Sequence, residues 1–244
     1  MSITTEIETL KTNLTNAYTS ISTKGGTIPT NKNAQNLSSA INSISTGGSS
    51  SYEEDLINII SNRSVMTSIN FPEGITSIGN YAFNGCTNLA LTSLPNGITS
   101  IGYSAFSGCR SLALTSLPSG IISIGNYAFQ GCTSLALTSL PSGIINIDNY
   151  AFNGCTNLAL TSLPNGITSI GNSVFYNCSS LTSLRIGSKI QTIANNAFSG
   201  CTKLTTIYIN LPRATVEAMG GYSSKWGATN ATIICNDDTG WVEA

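Results

Sequence analysis

The chain has 244 residues, 41% of them hydrophobic and only 9% charged, with a formal net charge of −1 and no histidine. Soluble domains ordinarily carry about 25% charged residues, so Ser, Thr and Asn must supply the polar surface. The neutral balance offers no basic footprint for nucleic acid or an anionic membrane, and every catalytic scheme or metal site that needs an imidazole is excluded.

The N-terminal stretch MSITTEIETLKTNL has neither a basic n-region nor an apolar h-region. No run of about 18 apolar residues occurs either, so neither a secretory signal nor membrane insertion is expected. Residues 1–46 read as a helical leader for attachment or oligomerisation. Ile3, Ile7, Leu10, Leu14, Ala17 and Ile21 are spaced 4-3-4-3-4, a heptad seam. Glu6 and Glu8 near its start and Lys24 at its end complement the helix dipole. Gly25-Gly26 ends the helix and Pro29 forbids its resumption. A second, shorter helix is predicted over 33–44, carrying Leu37, Ala40, Ile41 and Ile44. About three heptads is the minimum for a coiled coil. Two arrangements therefore stay open: a homo-oligomerising or docking module, and a helical hairpin folded on itself or on the first unit of the repeat region.

This leader resembles a segment of tail-associated structural proteins of bacteriophages and prophages of Gram-positive bacteria. There a Leu-Lys-x-x-Leu-x-x-Ala-Tyr helix meets Lys-Gly-Gly-Thr-Ile-Pro and then Asn-Leu-x-x-Ala-Ile-x-x-Ile. Here these run from Leu10 to Tyr18, Lys24 to Pro29 and Asn36 to Ile44. The C-terminal stretch from Trp226 to Ile233 (WGATNATI) is similar to endings of such proteins. The resemblance implies contact with other virion or tail components and assembly in the bacterial cytoplasm, where no signal peptide is needed.

Residues 47–72 read as linker and N-terminal cap. The TGGSSS stretch at 46–51 is a flexible connection. Leu56, Ile59 and Ile60 at helical spacing predict a cap helix over 52–62, and Met66, Ile69, Phe71 and Pro72 mimic half of a repeat.

From 73 to 210 the chain repeats itself. Cys86, Cys109, Cys132, Cys155, Cys178 and Cys201 are each 23 residues apart, and Phe83, Phe106, Phe129, Phe152, Phe175 and Phe198 keep the same step. Such a period means stacked units. Within residues 74–96, β-branched runs such as Ile75-Thr-Ser-Ile78 lie between Gly and Pro punctuation and predict short strands and turns. Gly79 and Gly85 suit corners with positive φ. A single 23-residue unit has too few apolar side chains to offset its own ordering, so neighbours must share one core and run their strands in parallel.

The unit resembles the treponemal-type (BspA-like) leucine-rich repeat over roughly residues 64–210. Its signature reads Cys-x-x-Leu-x-x-Ile-x-Leu-Pro-x-x-Leu-x-x-Ile-Gly-x-x-Ala-Phe-x-x-Cys. Cys86, Leu89, Leu94, Pro95, Ile98, Ile101, Gly102, Ala105, Phe106 and Cys109 match it. Thr92 stands where the family has Ile, with an apolar Leu91 one residue earlier; the shift recurs at Leu114, Leu137 and Leu160 and puts the strand register there in question. From Cys178 the signature resumes with Leu181, Leu184 and Ile186, then Leu204, Ile207 and Ile209. The resemblance implies an α+β fold: a leucine-rich repeat solenoid of parallel short strands in six 23-residue repeats, with an N-terminal helical segment and terminal caps.

For the cysteine column, disulfides between stacked turns lie within possible reach. The alternative is a ladder of reduced, buried plugs, which the lack of a signal for an oxidising compartment favours. Residues 211–244 read as a C-terminal cap, with a short helix over 215–219, Trp226 and a strand-like 231–235 closing the end. Cys235 falls off the 23-residue grid and reads as cap core.

No chemistry site emerges. The cysteines lack Cys-x-x-Cys pairing, the glycines are repeat corners, and Glu53, Glu54, Asp55, Asp237 and Asp238 read as solvated cap residues. No enzyme activity, metal or cofactor is expected. Specificity must lie in the columns that vary between repeats. One reads Tyr81, Ser104, Tyr127, Tyr150, Ser173, Asn196; another Asn84, Ser107, Gln130, Asn153, Tyr176, Ser199. Tyr with Asn and Ser is the composition of adaptable recognition surfaces. The candidate ligand-binding set is Tyr81, Tyr103, Tyr127, Tyr150, Tyr176, Asn84, Gln130 and Asn153, although these tyrosines could equally pack along the edge of the stack. The expected partner is a host-surface glycan or protein. The alternatives are a bacterial surface adhesin without a virion role and a ligand-free structural decoration.

Overall fold

A computed structural model describes residues 66–71 and 74–239. The heptad seam, the second predicted helix, the linker and the predicted cap helix lie outside the described residues.

Each turn of the stack first forms a two-residue strand: β1 (Ser77–Ile78), β2 (Ser100–Ile101), β3 (Ser123–Ile124), β4 (Asn146–Ile147) and β5 (Ser169–Ile170). The isoleucine points into the core and the polar residue outward, as the strand period of two requires. Pairing is parallel and steps by one repeat, Ser77 opposite Ser100 and Ile78 opposite Ile101. The strands are shorter than the Ile-x-x-Ile run predicts because the first isoleucine is used in a turn. Ile98 N–H, for example, closes back on Pro95 O at 3.2 Å.

The next segment, from Gly79 to Cys86 in the first turn, alternates two kinds of bond. Tyr81, Phe83 and Gly85 donate their N–H groups forward to Tyr103, Ala105 and Ser107 of the next turn at 2.7–2.8 Å. Ala82, Asn84 and Cys86 donate instead to the carbonyls three residues back. This zigzag requires left-handed backbone at Gly85 (φ +76°), where glycine is the undemanding choice. Gly79 is not left-handed, contrary to the expectation for it. Its equivalents are small because turns approach closely: a Cβ on Gly102 would lie 2.8 Å from Asn80 N and 3.0 Å from Gly79 C. The N–H of this column bonds the preceding turn at 2.9 Å for Gly102, Gly125 and Ala194 and at 3.4 Å for Asp148 and Gly171.

Inside, the phenylalanines stack with centroid separations of 5.2 to 5.9 Å and ring planes within 14°. The cysteines sit against them as free, buried thiols. Each of five donates S–H to the phenylalanine carbonyl of the preceding turn, from Cys109 to Phe83 at 2.9 Å through Cys201 to Phe175 at 3.0 Å. Of the two arrangements open for this column, the structure has the plugs. Burial pushes Cys132, Cys155 and Cys178 well above the ordinary thiol range and Cys201 up to about 12.

The third segment explains the shifted register. In the earlier turns Leu114 and Leu117 both point inward while Thr115 and Ser116 both face out. Two consecutive outward residues break strand alternation, and no strand forms there. At Leu184-Arg185-Ile186 alternation returns, and so does the strand. A second sheet is built from β6 (Ser183–Ile186), β8 (Thr206–Ile209) and β9 (Thr232–Cys235), while β7 (Thr192–Ile193) completes the first.

At the N-terminal end Met66 is buried, Thr67 O accepts Ala90 N–H at 2.9 Å, and Phe71 meets Phe83 edge-on at 6.0 Å. At the C-terminal end α1 (Arg213–Glu217) and a 3-10 turn over Tyr222–Gly227 precede β9. Trp226 is fully buried, and its carbonyl accepts Phe198 N–H at 3.0 Å, the place filled by Ala197 O one turn earlier. The Arg213 guanidinium binds both carboxylate oxygens of Asp238, the Ile233 carbonyl (3.0 Å) and the Tyr222 hydroxyl (3.0 Å). It thereby ties α1 to β9.

Candidate binding surface

The forward-bonding segment brings four of the predicted residues into one row. Tyr81 and Tyr103 have ring centroids 5.0 Å apart, Tyr103 and Tyr127 5.6 Å, and Tyr127 and Tyr150 4.8 Å. The last pair is stacked and nearly parallel at 2°, whereas Tyr103 is turned 54° and 60° from its two neighbours. Tyr103 is 37% exposed and the other three are partly buried. Partial burial and a hydrogen bond shared with Tyr103 raise the Tyr81 phenol above its ordinary value.

The backbone beneath the row is unusual. Tyr81, Tyr127 and Tyr150 have φ of 57–59°, and Ser104, Ser173 and Asn196 in the same column are left-handed too. For a non-glycine residue this region costs roughly 1–2 kcal/mol. Repeat comparison places Ser104, not a tyrosine, in this column. The ring of Tyr103 nevertheless enters the row from one residue earlier. The contrast between GYSAF at 102–106 and GNYAF at 79–83 is the sequence signal for that substitution.

Asn84, Gln130, Asn153 and Tyr176 form a separate column, three residues further along each turn. The backbone carbonyls of Gln130, Asn153 and Tyr176 accept from the preceding turn, as in Gly131 to Asn153 O and Gly154 to Tyr176 O, both at 2.7 Å. Ser107 Oγ lies 3.4 Å from Gln130 Oε1. Tyr176 is 39% exposed and stands outside the four-ring row. The structure thus divides the predicted set into a tyrosine row and an amide column ending in Tyr176.

Repeat comparison passed over two other surface features. Ile122 and Ile145, in adjacent turns, are 59% and 55% exposed. Arg185 lies 4.4 Å from the centroid of the Tyr208 ring on the outer side of the second sheet. Among the described residues no group of three or more His, Cys, Asp or Glu is placed to hold a metal ion, and no helix is long and apolar enough to cross a membrane.

The BspA type leucine rich repeat region model, in six copies, matches residues 58–146 and 136–223, more than half of the chain. The chain belongs to the BspA-type leucine-rich repeat family. No curated protein matches it. Among solved structures, the chain is similar to the T. pallidum leucine rich repeat protein, 25% identical, TM-score 0.53, with 70% of this chain and 87% of that chain covered. The pneumococcal vaccine antigen PcpA is 20% identical with TM-score 0.50, covering 70% of this chain and 42% of that one. A leucine rich cell surface protein from Faecalibacterium prausnitzii is 24% identical with TM-score 0.35, covering 70% and 60%.

Proposed function

We propose that this BspA-type chain is a non-enzymatic, tail-associated component of a bacteriophage or prophage particle. Residues 1–46 attach or oligomerise it, and the repeat stack contacts a host-surface glycan or protein. One observation carries the binding part. Four tyrosines from successive turns form one row on the repeat scaffold, three of them at left-handed backbone positions, and the most turned ring, Tyr103, is exposed. Tyrosine at this left-handed site, where Ser104, Ser173 and Asn196 serve in other turns, is not required by the turn itself, which supports use of the rings at the surface. The virion part rests on the leader and C-terminal motifs in the sequence.

Binding of the full chain to intact cells and isolated envelopes of candidate Gram-positive hosts tests the first part. Saturable binding is expected; none across a broad panel would leave a ligand-free decoration. Light scattering of the full chain and of a version lacking residues 1–46 tests the second, and identical monomer masses would refute oligomerisation. Family membership itself favours a second reading, a bacterial surface protein without a virion role. Flanking tail and lysis genes, or their absence, separates the two.

A further inference from the structure

We infer that the tyrosine row is a platform for a neutral, extended glycan lying along the solenoid axis, with Tyr103 offering its ring face and its neighbours their hydroxyls. This rests on the reading of the stack as the ligand-contacting part. The geometry of the rings sets the mode of contact. Atoms in van der Waals contact are about 3.5–4.0 Å apart, so a sugar between two ring faces would need roughly 7 Å. Tyr127 and Tyr150 are stacked at 4.8 Å and admit nothing between them. They present edges and phenol oxygens. Tyr103 alone is turned from both neighbours and is the most exposed ring of the row. With neighbours tilted rather than stacked against it, Tyr103 is the ring whose face meets the C–H side of a pyranose in this mode.

The spacing sets the shape of the ligand. Rings recur at 5.0, 5.6 and 4.8 Å, close to the length of one sugar unit in an extended β-linked chain. A polymer aligned with the stack repeats its contacts from turn to turn, whereas a compact end group meets one ring only. Two clefts among the described residues, at Asn172, Gln191 and Gly221 and at Ile69, Leu91 and Pro95, lie off the row. Recognition there is shallow and repeated rather than enclosed.

The chemistry sets the charge. All four side chains of the row are phenols, which at neutral pH donate and accept hydrogen bonds without carrying charge. The chain as a whole has a net charge of −1, so polyanions gain no long-range attraction. The row also survives a change of backbone origin, since Tyr103 reaches it from the residue before the left-handed site that Tyr81, Tyr127 and Tyr150 occupy. What the turns share is the position of the ring, not of the residue.

Calorimetric titration of the full chain with β-1,4-linked glucose and N-acetylglucosamine oligomers of one to six units tests this, with α-1,4-linked maltohexaose and polyphosphate for comparison. Affinity is expected to rise with each unit up to about four and then level off, with the α-linked and anionic polymers weaker. Tyr103→Ala is expected to lower hexamer affinity about tenfold, Tyr103→Phe to retain most of it, and Ile122→Thr to leave it unchanged. Length-independent binding, preference for polyphosphate, or full affinity in a folded Tyr103→Ala variant would overturn the assignment. Binding to host envelopes without binding to any neutral oligomer would overturn the glycan while leaving the ligand-contacting role standing. Failure with both would remove both.

Discussion

Tyr150 tests what the row is for. Its left-handed backbone (φ 59°) costs roughly 1–2 kcal/mol that asparagine largely avoids, and Asn196 already occupies the equivalent site. Its stacking on Tyr127 returns about 0.5–1.5 kcal/mol. Tyr150→Asn should therefore change stability by less than about 1 kcal/mol in denaturant titration; a loss above about 2 kcal/mol would make the row structural. The cysteines make a second prediction. Burial raises the pKa values of Cys132, Cys155, Cys178 and Cys201. Their contribution is complete below the unfolded thiol value of about 8.5 and is lost as pH rises toward the folded values, at about 1.4 kcal/mol per pH unit for each thiol. Stability should fall steeply above pH 9, with no reaction toward thiol reagents until the chain unfolds. The columns that hold these residues are legible in the sequence because identical slots recur every 23 residues. The turn of the Tyr103 ring is not, because the sequence shows only that this tyrosine precedes the left-handed Ser104, not how the ring then lies against its neighbours.

At the level of elements, the second sheet shows how one displaced leucine removes a strand. Leu112, Leu114 and Leu117 and their later repeats are buried in the core as Leu181, Leu184 and Ile186 are, but at unequal spacing. The hydrophobic pattern thus survives while the ladder does not. The sequence displays the displacement plainly, yet whether the backbone slips or bulges depends on the turns above and below. The closing strand has its own dependence. The Arg213 guanidinium holds the Asp238 carboxyl below its ordinary value, and Cys235 N–H adds to this. A depressed carboxylate stabilises above its unfolded pKa of about 3.9, and that contribution disappears as pH falls through the lower folded value. Melting followed from pH 6 to pH 2 should show an acid limb that Asp238→Asn flattens. An unchanged limb would place the acid sensitivity elsewhere.

For the whole molecule, each turn touches only its neighbours, so stability is close to a sum of repeat and interface terms. Excising residues 97–119 joins Asn96 to Gly120 in the same phase of the repeat. The shortened chain is expected to fold with the same circular dichroism per residue and a lower melting temperature. Complete loss of folding would mean that the central turns are not interchangeable. The repeat class was readable because a 23-residue step in Cys, Phe and Pro leaves no other economical packing. The ligand surface was only partly readable, since tyrosines that pack an edge and tyrosines that bind share one composition.

The alternating bonds of the turns also shape the electrostatics of the stack. Along the tyrosine side, N–H groups point toward the C-terminal end, as from Phe83 to Ala105; along the first sheet they point the other way, as from Gly102 to Ile78. The peptide dipoles on the two sides therefore oppose each other, and lengthening the stack does not accumulate a field as lengthening a helix does. Each end is instead two-toned, with donors on one side and acceptors on the other. A terminal turn must answer both, and this one does: Trp226 lends a carbonyl to Phe198 while Thr232 gives an N–H to Thr205. Anything that docks end-on to such a stack has to match that split polarity, which makes accidental head-to-tail fibres of a nearly uncharged protein harder to form.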